Sequence, residues 1–165
     1  DIQMMVKDKQ PKDEYPERNQ TYHYLPYRFD SNLEKEYFAN GLIPLMKDKQ
    51  LEYYFNGDDT LTEFKIRCYR RVGKHWQYDG LYYPDFLVLS RDAEGRIDRI
   101  CIIETKGEVY AAKFKERLEF MRDVFVSKNN EAFHRKRFQF LYLEDTISAE
   151  ERMAKTLQMI KEFFM

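Results

Sequence analysis

With 165 residues, 43% hydrophobic and 16% aromatic, the chain can bury a proper core, so one domain is expected and disorder throughout is excluded. Its 28 Lys and Arg against 29 Asp and Glu leave a net charge of −1, which excludes a uniformly basic nucleic-acid coat but not local patches. No apolar run reaches the length of a membrane span and no signal peptide is visible, so a cytoplasmic chain without membrane association is expected. Cys68 and Cys101 lie in strand-like runs outside any metal-spaced pair, and are expected to be buried, reduced thiols.

Residues 1–28 are polar and irregular, punctuated by Pro11, Pro16 and Pro26, and read as an arm or linker that docks through Tyr22, Tyr24, Leu25 and Tyr27. The folded domain is expected over 29–165. Because the chain begins at Asp1 rather than Met, it is read as a piece of a longer polypeptide, processing being the other explanation.

Ser31 with Glu34 three places on has the form of a capping box, opening a helix that carries Leu33, Tyr37, Phe38 and Leu42 on one face. Asn40-Gly41 or Pro44 is expected to end or kink it. Residues 51–56 form a short strand before the Gly57-Asp58-Asp59 turn, and Phe64, Ile66 and Cys68 alternate with Lys65 and Arg67 as a half-exposed strand. Gly73 and Asp79-Gly80 bracket the next connection, where Trp76 and Tyr78 extend the pairing.

Phe86–Leu89 and Ile100–Ile103 are apolar runs of strand length, joined by the turn-rich segment Arg91–Arg96, which predicts a β-hairpin. After Gly107 the period becomes helical, with Tyr110, Phe114, Leu118, Met121 and Phe125 on one stripe, and Asn129-Asn130 is expected to end that helix. Phe138–Leu143 follows as a strand after the basic His134–Arg137. Ser148 with Glu151 then caps a last helix, expected to turn Met153, Leu157, Ile160 and Phe164 inward. A strand–helix–strand step late in the chain implies a right-handed crossover and a mixed sheet flanked by helices.

The chemistry concentrates at one end of the predicted hairpin. Residues i and i+2 of a strand share a face, so Glu104 and Lys106 project together and Thr105 points away. Pairing around the Asp92–Gly95 turn brings Asp85 back beside Glu104. Two carboxylates held close repel unless a cation compensates them, and Mg²⁺ binds readily through one or two carboxylates plus substrate phosphate. Lys106 could then orient or deprotonate a water for phosphodiester hydrolysis, a base role requiring a lowered pKa. Neither Pro-Asp nor Glu-x-Lys is specific alone, the first being a common turn dipeptide and the second a common solvated pair. Here Glu104 and Lys106 end a run of four apolar residues, where unpartnered charges are costly, so a purpose is expected for the trio.

Pro84-Asp85 followed by Glu104-Thr105-Lys106 resembles the signature of the PD-(D/E)xK nuclease superfamily. The wider context, from Ser31-Asn32-Leu33-Glu34 through Tyr83-Pro84-Asp85-Phe86 to Ile103-Glu104-Thr105-Lys106-Gly107, is similar to the C-terminal endonuclease domain of type III restriction enzymes and related helicase–nuclease subunits. It covers roughly residues 26–145. The resemblance implies an α/β, restriction-endonuclease-like mixed sheet with helices on both faces and a Mg²⁺-dependent DNA endonuclease, Mn²⁺ being the other candidate ion and no organic cofactor being needed. It implies Asp85, Glu104 and Lys106 as catalytic residues, and Asp85, Glu104 and the Thr105 carbonyl as metal ligands. Glu34 occupies the slot of an acidic residue that assists metal binding, but its capping box with Ser31 explains it equally well. Implied partners are DNA, a helicase or ATPase region elsewhere in the full-length chain, a methyltransferase or specificity subunit, and a second copy for double-strand cleavage. No Gly-x-x-x-x-Gly-Lys-Ser/Thr loop occurs here, so any ATPase motor lies elsewhere.

Lys113, close behind the catalytic strand, is the best candidate DNA contact, followed by Arg67 and Arg70 in the Arg67-Arg70-Arg71-Lys74 cluster, although most charge runs are simply solvated. Tyr82 and Tyr83 could stack on a base but are expected to pack. The alternative function is a non-catalytic nucleic-acid-binding or assembly module that retains the fold.

Overall fold

The computed structural model describes residues 31–46, 49–56 and 64–165, excepting the side chains of residues 108–110. The expected arm at 1–28, the Gly57-Asp58-Asp59 turn and the packing of Tyr110 therefore lie outside the described residues. Ser31 Oγ accepts from the Glu34 N–H at 3.1 Å and opens α1 (Asn32–Glu36), as the capping pattern anticipates. The chain continues helically through a π-helical segment, Tyr37–Leu42, into α2 (Ile43–Met46). Asn40-Gly41 thus loosens the helix without ending it, and Pro44 lies inside α2. Gly41 lies close to the last helix, where a Cβ would sit 2.7 Å from Met153 Sδ and that side chain would have to shift.

Among the described residues the main sheet has four strands, β1 (Glu52–Phe55), β4 (Phe86–Arg91), β5 (Ile97–Lys106) and β6 (Phe138–Glu144), in the order β1-β4-β5-β6. β1/β4 and β4/β5 are antiparallel and β5/β6 is parallel, so the fold is mixed α/β with a mixed sheet. Among the described residues β2 (Ile66–Val72) and β3 (His75–Tyr82) pair only with each other, as a separate two-stranded ribbon. Trp76 and Tyr78 do extend that pairing, but it leaves the main sheet.

Between β5 and β6 the chain forms α3 (Glu108–Glu119), a π-helical segment Phe120–Val126 and α4 (Ser127–Ala132). Asn129 and Asn130 lie within α4 and do not end it. Asn130 is instead spent on β6: its Oδ1 accepts from the N–H groups of Arg137 and Phe138, and its Nδ2 donates to the Phe138 carbonyl.

Ser148 Oγ caps α5 (Ala149–Phe163) by accepting from the Glu151 N–H. The buried face of α5 is Arg152, Thr156, Met159, Ile160 and Phe163; of the expected Met153-Leu157-Ile160-Phe164 stripe, Ile160 lies on that face and Met153 and Phe164 pack partly buried against the same core. Two polar residues draw that face inward, since Thr156 Oγ1 meets the buried Tyr37 hydroxyl at 2.7 Å and Arg152 donates to the Ile147 carbonyl.

Both faces of the sheet are covered. On one, Phe38 and Leu42 pack with Met159 and Ile160 against Phe86, Val88, Cys101 and Ile103. On the other, Phe114, Phe120 and Met121 pack with Ile66, Cys68 and Tyr82 of the ribbon against Leu87, Ile100 and Ile102. Alternating apolar positions of β4 and β5 therefore feed two cores, which is why these strands read as continuous apolar runs. Both cysteines are free and buried, and burial pushes the Cys68 thiol up to about 11. Among the described residues no helix is long and apolar enough to cross a membrane.

Candidate active site

The β4/β5 hairpin pairs Phe86 with Ile103 and Val88 with Cys101, so the next step along each strand sets Asp85 against Glu104. The Asp85 N–H donates to Glu104 Oε2 at 3.3 Å. Lys106, two residues beyond Glu104, returns to the same face and forms an ion pair with Glu104 Oε1. Asp85, Glu104 and Lys106 are brought together as expected. Glu104 is 1% exposed and Asp85 6% exposed, while the Lys106 side chain remains partly open to solvent.

Thr105, expected to point away from Glu104 and Lys106, instead holds Asp85 through two groups other than the carbonyl that the resemblance implies as a ligand. Its backbone N–H and its hydroxyl both donate to Asp85 Oδ2, at 2.8 and 2.9 Å. The Asp85 carboxylate is therefore oriented by Thr105 rather than by a direct contact with Glu104. Glu34 is also buried, at 8% exposure, and its charge contributes to Lys106 after those of Glu104 and Asp85. It stands near the cluster and serves α1 as a capping partner at once.

Three further contacts were not legible as functional. Tyr82, at the end of β3, is expected to pack and does so against Phe114, with ring centroids 5.6 Å apart. Its hydroxyl also donates to Glu104 Oε2 at 2.5 Å. The only sequence signal is an aromatic residue three positions before Asp85. Asn56, just after β1, is almost fully buried and clamps the Pro84-Asp85 bend: its Nδ2 donates to the Pro84 carbonyl at 3.0 Å, and its N–H to the Asp85 carbonyl at 2.6 Å. Nothing in the local pattern marks it. Phe114 on α3 lies under the lysine, with Lys106 Nζ 5.2 Å from its ring centroid.

Burial and then the neighbouring Glu104 charge push the Asp85 carboxyl up to about 7, against the lowering effects of Lys106 and Thr105. Burial also raises Glu104, opposed by Lys106 and Tyr82. For Lys106, burial favours the neutral amine but is outweighed by Glu104 and Asp85, so the ammonium is held above its ordinary value. The lowered pKa expected of a lysine base is not found; this lysine is kept protonated by its carboxylate partner.

Lys113, Arg67 and Arg70 lie outside the cluster. Lys113 is exposed on α3 and Arg67 on β2, while Arg70 reaches Gln77 and Asp79 across the ribbon. Among the described residues, no group of three or more His, Cys, Asp or Glu is arranged to hold a metal ion. Two buried carboxylates, one with its pKa raised toward neutrality, are nevertheless the donor chemistry that suits a hard divalent cation completed by phosphate and water. No protein-family model matches the chain, and neither do any curated proteins or solved structures.

Proposed function

We propose that this chain is a Mg²⁺- or Mn²⁺-dependent DNA endonuclease domain with a restriction-endonuclease-like fold, working within a type III restriction or helicase–nuclease polypeptide. The observation that carries the reading is Glu104, a buried carboxylate at the end of an apolar strand, on which Lys106, Tyr82 and the Asp85 N–H converge. Charges are gathered this way in a core when their chemistry is used, since burial alone opposes them.

Asp85 and Glu104 would hold the ion, with the Thr105 carbonyl and Glu34 as further oxygens within the same strand end and first helix. When bound, the ion supplies positive charge against the scissile phosphate and makes water more acidic. Thr105 holds the Asp85 carboxylate in place through its two donors. Tyr82 fixes Glu104 Oε2, and Asn56 fixes the bend that presents Asp85. Lys106 contributes a held positive charge that binds phosphate oxygen and orients a water, rather than a free base.

One observation favours a second reading, a non-catalytic nucleic-acid-binding or assembly module. Both Glu104 oxygens already have protein donors, so the cluster is also a self-satisfied ion network. Plasmid nicking separates the two. Wild-type protein should nick with Mg²⁺ and stop with chelator, and Lys106→Ala and Asp85→Ala should not nick; equal nicking by all three, or by none, removes the support for cleavage. Calorimetric Mn²⁺ titration supplies an activity-free readout. Binding by wild type that is lost in Asp85→Ala supports the first reading, and no binding by either assigns the second.

A further inference from the structure

The β2–β3 ribbon is absorbed only in part by the site. Its base is tied down: Ile66, Cys68 and Tyr82 are buried, and Arg117 of α3 donates to the carbonyls of Leu81 and Asp79 at 3.3 and 3.0 Å. Its outer half is open. Five of the eight large hydrophobic residues exposed among the described residues lie on this ribbon, with Trp76 52% and Tyr78 54% exposed. Monomeric domains rarely leave such residues clustered without a use.

The register puts them on one face. Tyr69 pairs with Tyr78 and Arg71 with Trp76, and positions two apart on each strand share a side. The Tyr69 and Tyr78 rings meet edge-on at 5.8 Å, and Tyr69 continues inward to Phe120 at 6.2 Å. The face is thus a short row of rings, anchored at its inner end and flanked by a guanidinium. Arg70 and Arg67 fall on the opposite side. Over residues 64–82 there are five Lys or Arg and one acidic residue, in a chain whose net charge is −1. The ribbon is a cationic element on a slightly acidic protein.

Exposed rings beside a guanidinium, on an element whose other side is also cationic, form a surface that stacks bases and holds phosphates. Stacking on a base face requires that base to be unpaired, whereas duplex phosphates would be met by the Lys and Arg alone. We propose that the Trp76–Tyr78–Arg71 face of the β2–β3 ribbon binds single-stranded nucleic acid by stacking its bases. The position of this face deepens the nuclease reading, on which its link to the site rests. From Trp76, β3 continues to Tyr82, whose hydroxyl reaches Glu104, so the platform stands at most about 20 Å of strand from the cluster. A strand held there leads toward Asp85 and Glu104.

Trp76 is the chain's one tryptophan, so its fluorescence reports this face alone. Titration with an oligodeoxythymidylate, in chelator to exclude cleavage, should quench it saturably, and the quench should weaken as salt rises. Anisotropy with a labelled oligonucleotide should show Trp76→Ala and Tyr78→Ala each losing between about 5- and 150-fold in affinity, as expected for removal of one stacking ring. A duplex of equal length should bind more weakly than the single strand. Absence of quenching, equal affinity for the duplex, or unchanged affinity in both variants would overturn the proposal. Self-association that disappears in Trp76→Ala, without oligonucleotide binding, would assign the face to a second copy. Binding that persists in a protein unable to nick plasmid keeps the platform and removes only its connection to cleavage.

Discussion

Asp85 carries two opposed demands, since burial and Glu104 favour its neutral form while a bound cation would favour the carboxylate. Its folded pKa of about 7 lies above the ordinary 3.8, so between these values the folded protein keeps a proton that the unfolded chain releases. Stability must fall as pH rises through that window, and the penalty is complete above about 7. Asp85→Asn removes it. The variant is expected to be more stable than wild type near pH ~8, by up to ~4 kcal/mol, and to melt higher, with the gap closing toward pH ~4. Scanning calorimetry across that range checks the sign, and a gap that widens at low pH contradicts it. Mg²⁺ should reverse the order at the higher pH, raising the wild-type melting temperature and leaving the variant unmoved.

The elements around this residue hold it by contacts that cross long stretches of chain. Asn56 follows β1, yet its side chain joins the Pro84 carbonyl to that of Phe64, at 3.0 Å each. Asn56→Ala removes the side-chain donor from one buried and one part-buried carbonyl. That is expected to cost about 2–5 kcal/mol in a denaturant titration and to lower plasmid nicking through displacement of Asp85. A loss under about 0.5 kcal/mol would show that the bend is held by backbone alone. The two Asn residues of α4 teach a related lesson. Asn is expected to stop a helix because its side chain competes for backbone groups, and Asn130 does compete, but for the first residues of β6 rather than for its own helix end.

Across the whole molecule, two cores share one sheet, and α5 closes the core that includes the first helix. Ile160, 1% exposed, is central to that closure, so Ile160→Ala is expected to destabilise the protein by about 2–5 kcal/mol, read from the urea midpoint. The exposed Lys155→Ala on the same helix should stay within about 0.5 kcal/mol.

Much of this was determined by the sequence alone, wherever the interaction is short in range. Ser31 and Ser148 cap their helices because a hydroxyl three residues from an N–H needs no other part of the chain. Phe86–Leu89 pairs with Ile100–Ile103 across a short turn, and one register then brings Asp85 and Glu104 together while the two-residue strand period brings Lys106 alongside. What only the tertiary structure decided is long in range. β1 pairs with β4, while β2 and β3 leave the sheet, because any apolar strand can pair with any other until the packed faces choose. The buried face of α5 widened to include Thr156, which meets Tyr37 in a contact spanning 119 residues. Tyr82 became a partner of Glu104, and Lys106 became a held cation, because buried charges take their state from whatever the fold sets beside them.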